Sequence, residues 1–213
     1  MVRVSDISAQ YYCEKKLELK EEIPMPPTRR MQEGESGHEA ITTLAEPITK
    51  EEAIQDALRT REKPVCMYEF KIGLKYKDIP IIGLVDEAWF KDGAVELLIE
   101  RKFNNILSVY SPYHVQAQLY CLGLSEMGFD ASNTEYGIMV FKPQCYNCEK
   151  LVDLSCQIFK DSSSFSCDKG AAKTFVYPFN KERTLEDLDW ALEYWKGERN
   201  AKPTANPQKV PSV

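Results

Sequence analysis

Glu100 and Lys102 stand two residues apart in AVELLIERKFNN, residues 94–105, a segment whose alternation otherwise reads as a strand. Residues two apart on a strand share a face, so the carboxylate and the ammonium point the same way as Leu98, while Val95, Leu97 and Ile99 take the other face. If Lys91-Asp92-Gly93 forms a three-residue hairpin loop, Phe90 faces Ala94, and Asp86 falls on the Glu100 face, diagonal to Glu100. Two carboxylates and a lysine then converge. Carboxylates held together in a partly dry site repel each other unless a cation or a proton intervenes. A hard divalent cation resolves that conflict, and oxygen ligands suit Mg²⁺ or Mn²⁺, which polarise a phosphodiester and acidify a bound water. Lys102 would orient or help deprotonate that water, or neutralise charge building on the phosphate. The ordinary alternative is a solvated sheet face on which Glu100 and Lys102 form a weak surface pair.

The elements needed to hold these residues follow from periodicity. From Val65 the period is two through VCMYEFKIGLKYK, PIIGLVDEAWF and AVELLIERKF, with turn-like YKDIP and FKDGA between them, which predicts an antiparallel three-strand meander. YHVQAQLYCLGLSEMG returns to helical spacing through Val115, Leu119 and Leu122, and TEYGIMVFKP and KLVDLSCQIF read as two more strands. Before the meander, Ser5 is an expected N-cap for a helix over 5–20, RRMQEGESGHEAITTLAE has helical spacing, and KEEAIQDALRTRE forms a further polar helix. The closing helix, expected over 184–198, starts on a capping box of Thr184 with Asp187, and NAKPTANPQKVPSV beyond it is proline-rich.

The 213 residues, 43% hydrophobic and 28% charged, suffice for the core of one ordinary domain, expected over residues 1–200 with a flexible tail at 201–213. No stretch approaches the ~18 uninterrupted apolar residues of a membrane span, and MVRVSDISAQYYCEKK lacks the apolar run of a signal peptide, so a cytoplasmic location is expected. A net charge of −6 and a pI near 5.2 argue against nonspecific coating of nucleic acid while leaving room for a local basic groove. Arg29, Arg30, Arg101 and Lys142 are candidate phosphate contacts.

GLVDEAWF followed by LLIERKF resembles the catalytic core of the PD-(D/E)XK nuclease superfamily. The order of a helix with His38, a strand with Asp86, a strand with Glu100-Arg101-Lys102 and a helix with Gln116-Ala-Gln-Leu-Tyr120 resembles its RecB-like branch. Within that branch the likeness is closest to the CRISPR-associated protein 4 exonucleases, whose first helix carries a cysteine in a setting similar to YYCEKKLEL. The resemblance runs from about Ser5 to about Pro207. It implies an α/β (α+β) fold, a restriction-endonuclease-like core with a mixed central sheet flanked by helices. It further implies His38, Asp86, Glu100 and the backbone carbonyl of Arg101 as metal ligands, Lys102 as the catalytic lysine, and Gln116 and Tyr120, four apart on one helical face, as residues that support the site and contact DNA. A histidine on a helix is otherwise more often a satisfied core or surface residue than a ligand; His114 is the only other one.

The seven cysteines are thiols, metal ligands or core residues in the absence of a secretory signal. The resemblance implies a four-iron four-sulfur cluster held by one cysteine of the first helix, here Cys13, and three near the C-terminus. Val210 and Val213 occupy the positions where a cysteine pair is expected, and valine cannot ligate iron. Cys145 and Cys148 form a CxxC that would begin an alternative metal knuckle, with Cys156 and Cys167 as remote partners, although that spacing is unlike a standard zinc motif. Cys66 and Cys121 lie in apolar settings and are expected in the core.

The expected function is metal-dependent hydrolysis of DNA from an end, single-stranded ends above all, with Mg²⁺ or Mn²⁺ as cofactor. The resemblance implies processing of DNA fragments before a CRISPR integrase complex inserts them as spacers. A stand-alone RecB-like nuclease of repair or recombination would carry the same motifs. A DNA-end binding adaptor that keeps the fold without turnover, and a docking role for the cysteine-bearing region 145–167, are the readings from other classes.

Overall fold

The computed structural model describes residues 1–23, 26, 32, 50–59, 63–142, 145, 166–167 and 170–203. In chain order these form β1 (Val2–Arg3), α1 (Val4–Glu22), α2 (Lys50–Leu58), β2 (Val65–Tyr76), β3 (Ile79–Lys91), β4 (Ala94–Phe103), α3 (Ser111–Glu126), β5 (Glu135–Phe141), β6 (Ala172–Pro178) and α4 (Lys181–Trp195). The six strands make one mixed sheet in the order β1-β3-β4-β5-β6, with β2 along the other edge of β3. β1 pairs with β3, and β4 with β5, in parallel; the remaining pairs are antiparallel. The architecture is a mixed α/β one, a mixed sheet flanked by helices. His38, Arg29, Arg30, Cys148, Cys156, Val210, Val213, the expected helix RRMQEGESGHEAITTLAE and the expected strand KLVDLSCQIF lie outside the described residues, Gln32 apart.

The meander forms as its alternation predicts, with both hairpins closed by two-residue turns. Lys77 and Asp78 (φ 46 and 67) close β2–β3, and Asp92 and Gly93 (φ 53 and 80) close β3–β4. Two successive positive φ angles make the type I′ turn, whose twist matches the strands it joins. This corrects the three-residue Lys91-Asp92-Gly93 loop: Lys91 faces Ala94, and Phe90 faces Val95. A register shift follows at once, because Trp89 faces Leu97, so Glu96 is the extra residue of a bulge. The bulge returns Val95 to the main core, on the side of Leu98, and only Leu97 and Ile99 point to the opposite face.

α1 and α3 pack together on one face of the sheet, and α4 closes over both. Val4, Ile7 and Tyr11 of α1, Leu119, Leu122 and Leu124 of α3, and Leu188 and Leu192 of α4 meet Phe70, Ile72, Val85, Leu98 and Ile138 of the strands. On the opposite face Trp89, Leu97, Ile99, Met139 and Phe141 form a second apolar cluster with Cys145, Ala171 and Ala172. No helix among the described residues is long and apolar enough to cross a membrane.

Helix boundaries differ from those expected. α1 begins at Val4 with Arg3 as N-cap and no side-chain cap, because β1 leads straight into it; Ser5 lies inside the helix. α4 begins at Lys181, and its cap is Asn180, whose side chain accepts from the Arg183 N–H. Thr184 is therefore within the first turns, and its hydroxyl bonds the Asn180 carbonyl and Gln118 Oε1 instead of capping. β6 falls where alternation gives no expected strand; its pairing along β5 creates it.

Helix α1 breaks at Cys13 (φ −172, ψ 112). Beside the break, the buried Glu14 carboxylate accepts from Gln10 Nε2, from both Nη atoms of Arg199 (2.6 Å each) and from the Lys202 N–H (2.8 Å). Burial alone would push this carboxyl up, but Arg199 and the Lys202 amide hold it below the ordinary value. Arg199 also stacks on Trp190, so the chain through Pro203 is fixed to α1.

His114 of α3 is buried between Tyr136 and Tyr177, shares a 2.9 Å hydrogen bond between Nδ1 and the Tyr136 hydroxyl, and leaves Nε2 without a partner. Burial pushes its pKa down from 6.5 to about 4. As pH falls, the unfolded chain takes up this proton first, so the stability conferred by the neutral ring is full above pH 6.5 and lost on the way to pH 4. His114→Phe should flatten stability between those pH values by up to about 3 kcal/mol, as read by urea unfolding across the range. An unchanged slope would show that His114 does not titrate this way.

Candidate functional site

The site begins where the β3–β4 ladder stops. Its last pair is Glu87 with Ile99, so Asp86 comes opposite Glu100 one step further on, a direct rather than a diagonal relation. There the strands part, and Asp86 Oδ2 accepts the Arg101 backbone N–H at 2.7 Å in place of a ladder bond. The N–H and C=O of one residue in an extended strand point to the same edge, so the Arg101 carbonyl also looks towards Asp86. The β2 side of Asp86 is irregular too. Tyr68 pairs with Glu87 and Phe70 with Val85, while Glu69, opposite Asp86, makes no ladder pair and adopts φ 49. Buried positions on β2 accordingly jump from Met67 to Phe70 before resuming at Ile72 and Leu74.

Leu98, Glu100 and Lys102 share the face towards α3. Glu100 is 1% exposed; one carboxylate oxygen, Oε1, pairs with Lys102 Nζ, and the other, Oε2, is buried without a partner among the described residues. Burial and the Asp86 charge together outweigh the Lys102 ammonium and push the Glu100 carboxyl up to about 8. Lys102 Nζ also donates to Gln116 Oε1 at 2.9 Å, and Gln116 Nε2 donates to the Tyr120 hydroxyl at 2.9 Å. Burial lowers the affinity of Lys102 for its proton, but Glu100 and Asp86 more than offset this, and its pKa is raised. Tyr120 reaches across the sheet to the Leu84 backbone amide, which burial of the phenol and the nearby carboxylates accompany with a raised pKa. Gly83 makes this crossing feasible: a Cβ there would lie 2.6 Å from Tyr120 Cε1 and 3.0 Å from Val4 Cγ2.

Five of the residues singled out in sequence, Asp86, Glu100, Lys102, Gln116 and Tyr120, are thus brought together. Arg101 is split between two roles. Its backbone faces Asp86, but its side chain, 1% exposed, turns to the opposite face and pairs with Glu87. This overturns Arg101 as a phosphate contact, since the guanidinium is sealed in the core. Glu87 is fully buried and also accepts from Trp89 Nε1 at 2.6 Å, with the Cys66 thiol near the same oxygen. Lys142, half-buried, follows β5 where the Phe141 carbonyl accepts from Asn104. Tyr113, to which neither spacing nor motif pointed, places its ring 5.2 Å from Lys102 Nζ.

No family model matches the chain, and no curated protein matches it. Among solved structures the fold is similar to "Crystal structure of SSO0001", with a TM-score of 0.51 and 10% identity, covering 93% of this chain and 76% of that one. At that identity the likeness is one of fold alone.

The donor set fits a hard divalent cation. Oxygen ligands are what such an ion takes, and the buried, unpartnered Glu100 Oε2 beside Asp86 is a carboxylate oxygen that a cation would satisfy. Among the described residues no three His, Cys, Asp or Glu side chains converge. Asp86, Glu100 and the Arg101 carbonyl would therefore hold the ion, with His38 outside the described residues. Among the described residues no cysteines converge as a four-cysteine iron–sulfur cluster would require. Valines stand at 210 and 213, and the Cys13 thiol, at the α1 break, donates to the Pro203 carbonyl. Cys145 is buried in the second apolar cluster and donates to the Ala171 carbonyl, with Cys167 packed nearby; Cys121 is fully buried.

The Glu100 shift gives a test that needs no substrate. Its folded pKa of about 8 lies above the ordinary 4.5, so between these values the folded state holds a proton that the unfolded chain has lost. Stability from the neutral carboxyl is full below pH 4.5 and declines as pH rises to 8. Glu100→Gln cannot ionise, so in EDTA its melting temperature should gain on wild type between pH 5 and 8.5. A constant difference would mean that Glu100 is already ionised at pH 5.

Proposed function

We propose that this protein is a metal-dependent deoxyribonuclease of the PD-(D/E)XK type, acting as an exonuclease on DNA ends, single-stranded ends above all. The observation that carries the reading is the half-satisfied carboxylate pair. Glu100 is buried opposite Asp86, and among the described residues the cation paired with it is Lys102, which leaves Oε2 without a partner there. When bound, Mg²⁺ or Mn²⁺ supplies Lewis-acid polarisation of the phosphodiester and a more acidic water.

The chain's own residues do the rest. Asp86, fixed by the Arg101 amide, and Glu100 present oxygens from the two facing strands at the point where their ladder ends. Lys102 is held by Glu100 and Gln116 with a raised pKa, so it is a cation at neutral pH. Of the roles open to it, neutralising charge on the phosphate or giving a proton to the leaving oxygen is favoured over abstracting one from water. Gln116 and Tyr120 fix that ammonium from α3. The motif order and the CRISPR-associated resemblance support processing of DNA fragments before integration as spacers, in the cytoplasm, as the setting of this activity; repair or recombination is the other setting for the same chemistry.

Digestion of end-labelled single-stranded and duplex DNA with Mg²⁺, Mn²⁺ or EDTA should show metal-dependent shortening from one end. Asp86→Ala and Lys102→Ala should each reduce it by more than about a hundredfold. Undiminished cleavage by either variant would remove these residues from the chemistry. DNA retention without metal-stimulated cleavage by wild type would favour the adaptor instead.

A further inference from the structure

The segment that joins β4 to α3 carries exposed apolar and aromatic side chains beside the polar cluster. Ile106 is 59% exposed and Tyr110 42% exposed. The Tyr110 ring stands edge-to-face against Tyr113, with centroids 5.5 Å apart and planes at 89°, and Tyr113 in turn lies 5.2 Å from Lys102 Nζ. Tyr110 is also the N-cap of α3, and the Tyr113 N–H donates to its carbonyl at 2.9 Å, so the exposed ring is attached to a rigid element. The contact chain Tyr110–Tyr113–Lys102 puts an open aromatic face within a nucleotide or so of the ammonium.

The charge pattern separates two ways of meeting DNA. From Phe103 to Tyr113, ahead of the buried part of α3, the sequence contains no Asp, Glu, Lys or Arg, although the chain holds 27 basic and 33 acidic residues. A surface that followed the sugar–phosphate backbone would carry cations. One that takes up base faces needs aromatic rings and freedom from carboxylates that would repel the neighbouring phosphates. This lip has the second composition. Bases inside a duplex are already stacked on one another, so only an unpaired base presents a face to it.

We propose that Tyr110, braced by Tyr113, is a stacking platform for an unpaired nucleobase adjoining the reacting phosphate, and that it sets the preference of this site for single strands. The inference rests on the nuclease reading, which supplies the nucleic acid, but its test does not depend on turnover.

Short single-stranded oligonucleotides carrying 2-aminopurine at successive positions from the end are titrated with wild type in EDTA, and cleavage is followed in parallel with Mn²⁺. Stacking should quench emission at one position near the end. Tyr110→Leu should abolish that quenching and weaken binding about tenfold, Tyr110→Phe should restore both, and a fully paired duplex should show neither the quenching nor the sensitivity to Tyr110. Circular dichroism and melting of Tyr110→Leu confirm the fold, since Tyr110 is surface-exposed. Equal affinity and quenching for wild type and Tyr110→Leu would overturn the platform while leaving metal-dependent cleavage, and with it the nuclease reading, intact. Tyr110-dependent quenching without cleavage would uphold the platform and sink the nuclease. Absence of DNA binding by wild type would overturn both.

Discussion

The parting of β3 from β4 after the Glu87–Ile99 pair is the constraint on which the rest of the site depends. A continuous ladder would have spent the Arg101 amide on a backbone carbonyl and left Asp86 as one more sheet-face side chain. Instead the Asp86 carboxylate takes that amide. The opening is anchored from behind, where the same residue that donates its amide to Asp86 sends its guanidinium through to Glu87 on the far face. A buried ion pair contributes little net stability, because desolvation of both ions offsets their attraction. It does fix register: slipping β4 by one residue would carry Arg101 to the face of Lys102 and strand Glu87 as an unpaired charge in an apolar cluster.

On the α3 side the polar groups form one connected line, Glu100 to Lys102 to Gln116 to Tyr120 and on to the Leu84 amide. The line begins and ends on the sheet and passes through a helix, so it ties α3 to β3 and β4 at the point where the strands separate. Its one incomplete member is Glu100, whose second oxygen has no partner among the described residues. A carboxylate oxygen left buried and unpaired bears a cost that a ligand would remove, and unlike the other such atom, the uncharged ring Nε2 of His114, it lies beside a second carboxylate. The glycine at 83 belongs to the same device, since any side chain there would occupy the path of the Tyr120 ring.

The scaffold behind this line is held by a second polar cluster at the α1 break. Glu14 gathers Gln10, Arg199 and the Lys202 amide, and Trp195 Nε1 donates to Gln10 Oε1 at 2.7 Å. Residues separated by almost the whole chain thereby close the α1–α4 side of the core, and α1 in turn backs α3 through the Ser8 hydroxyl and the Pro112 carbonyl. Three helices are therefore positioned by side-chain polar contacts as well as by the apolar interface between them.

Alternation by itself determined the three-strand meander, and the two-residue spacing of Glu100 and Lys102 determined that both face the same way, because side-chain direction in a strand depends only on the local backbone. The four-residue spacing of Gln116 and Tyr120 likewise put them on one helical face. Tertiary structure decided what spacing cannot carry. The Glu96 bulge moved Val95 to the main core and brought Asp86 opposite Glu100, since a turn type and one extra residue reset every pairing beyond them. β6 exists through its partner β5, with no alternation of its own to announce it. Arg101 and Glu87 look like surface charges in the sequence and are buried together, because only the assembled sheet shows that each supplies the other's counter-charge. Tyr113 meets Lys102 for the same reason: eleven residues apart in the chain, they become neighbours only when α3 folds back over β4.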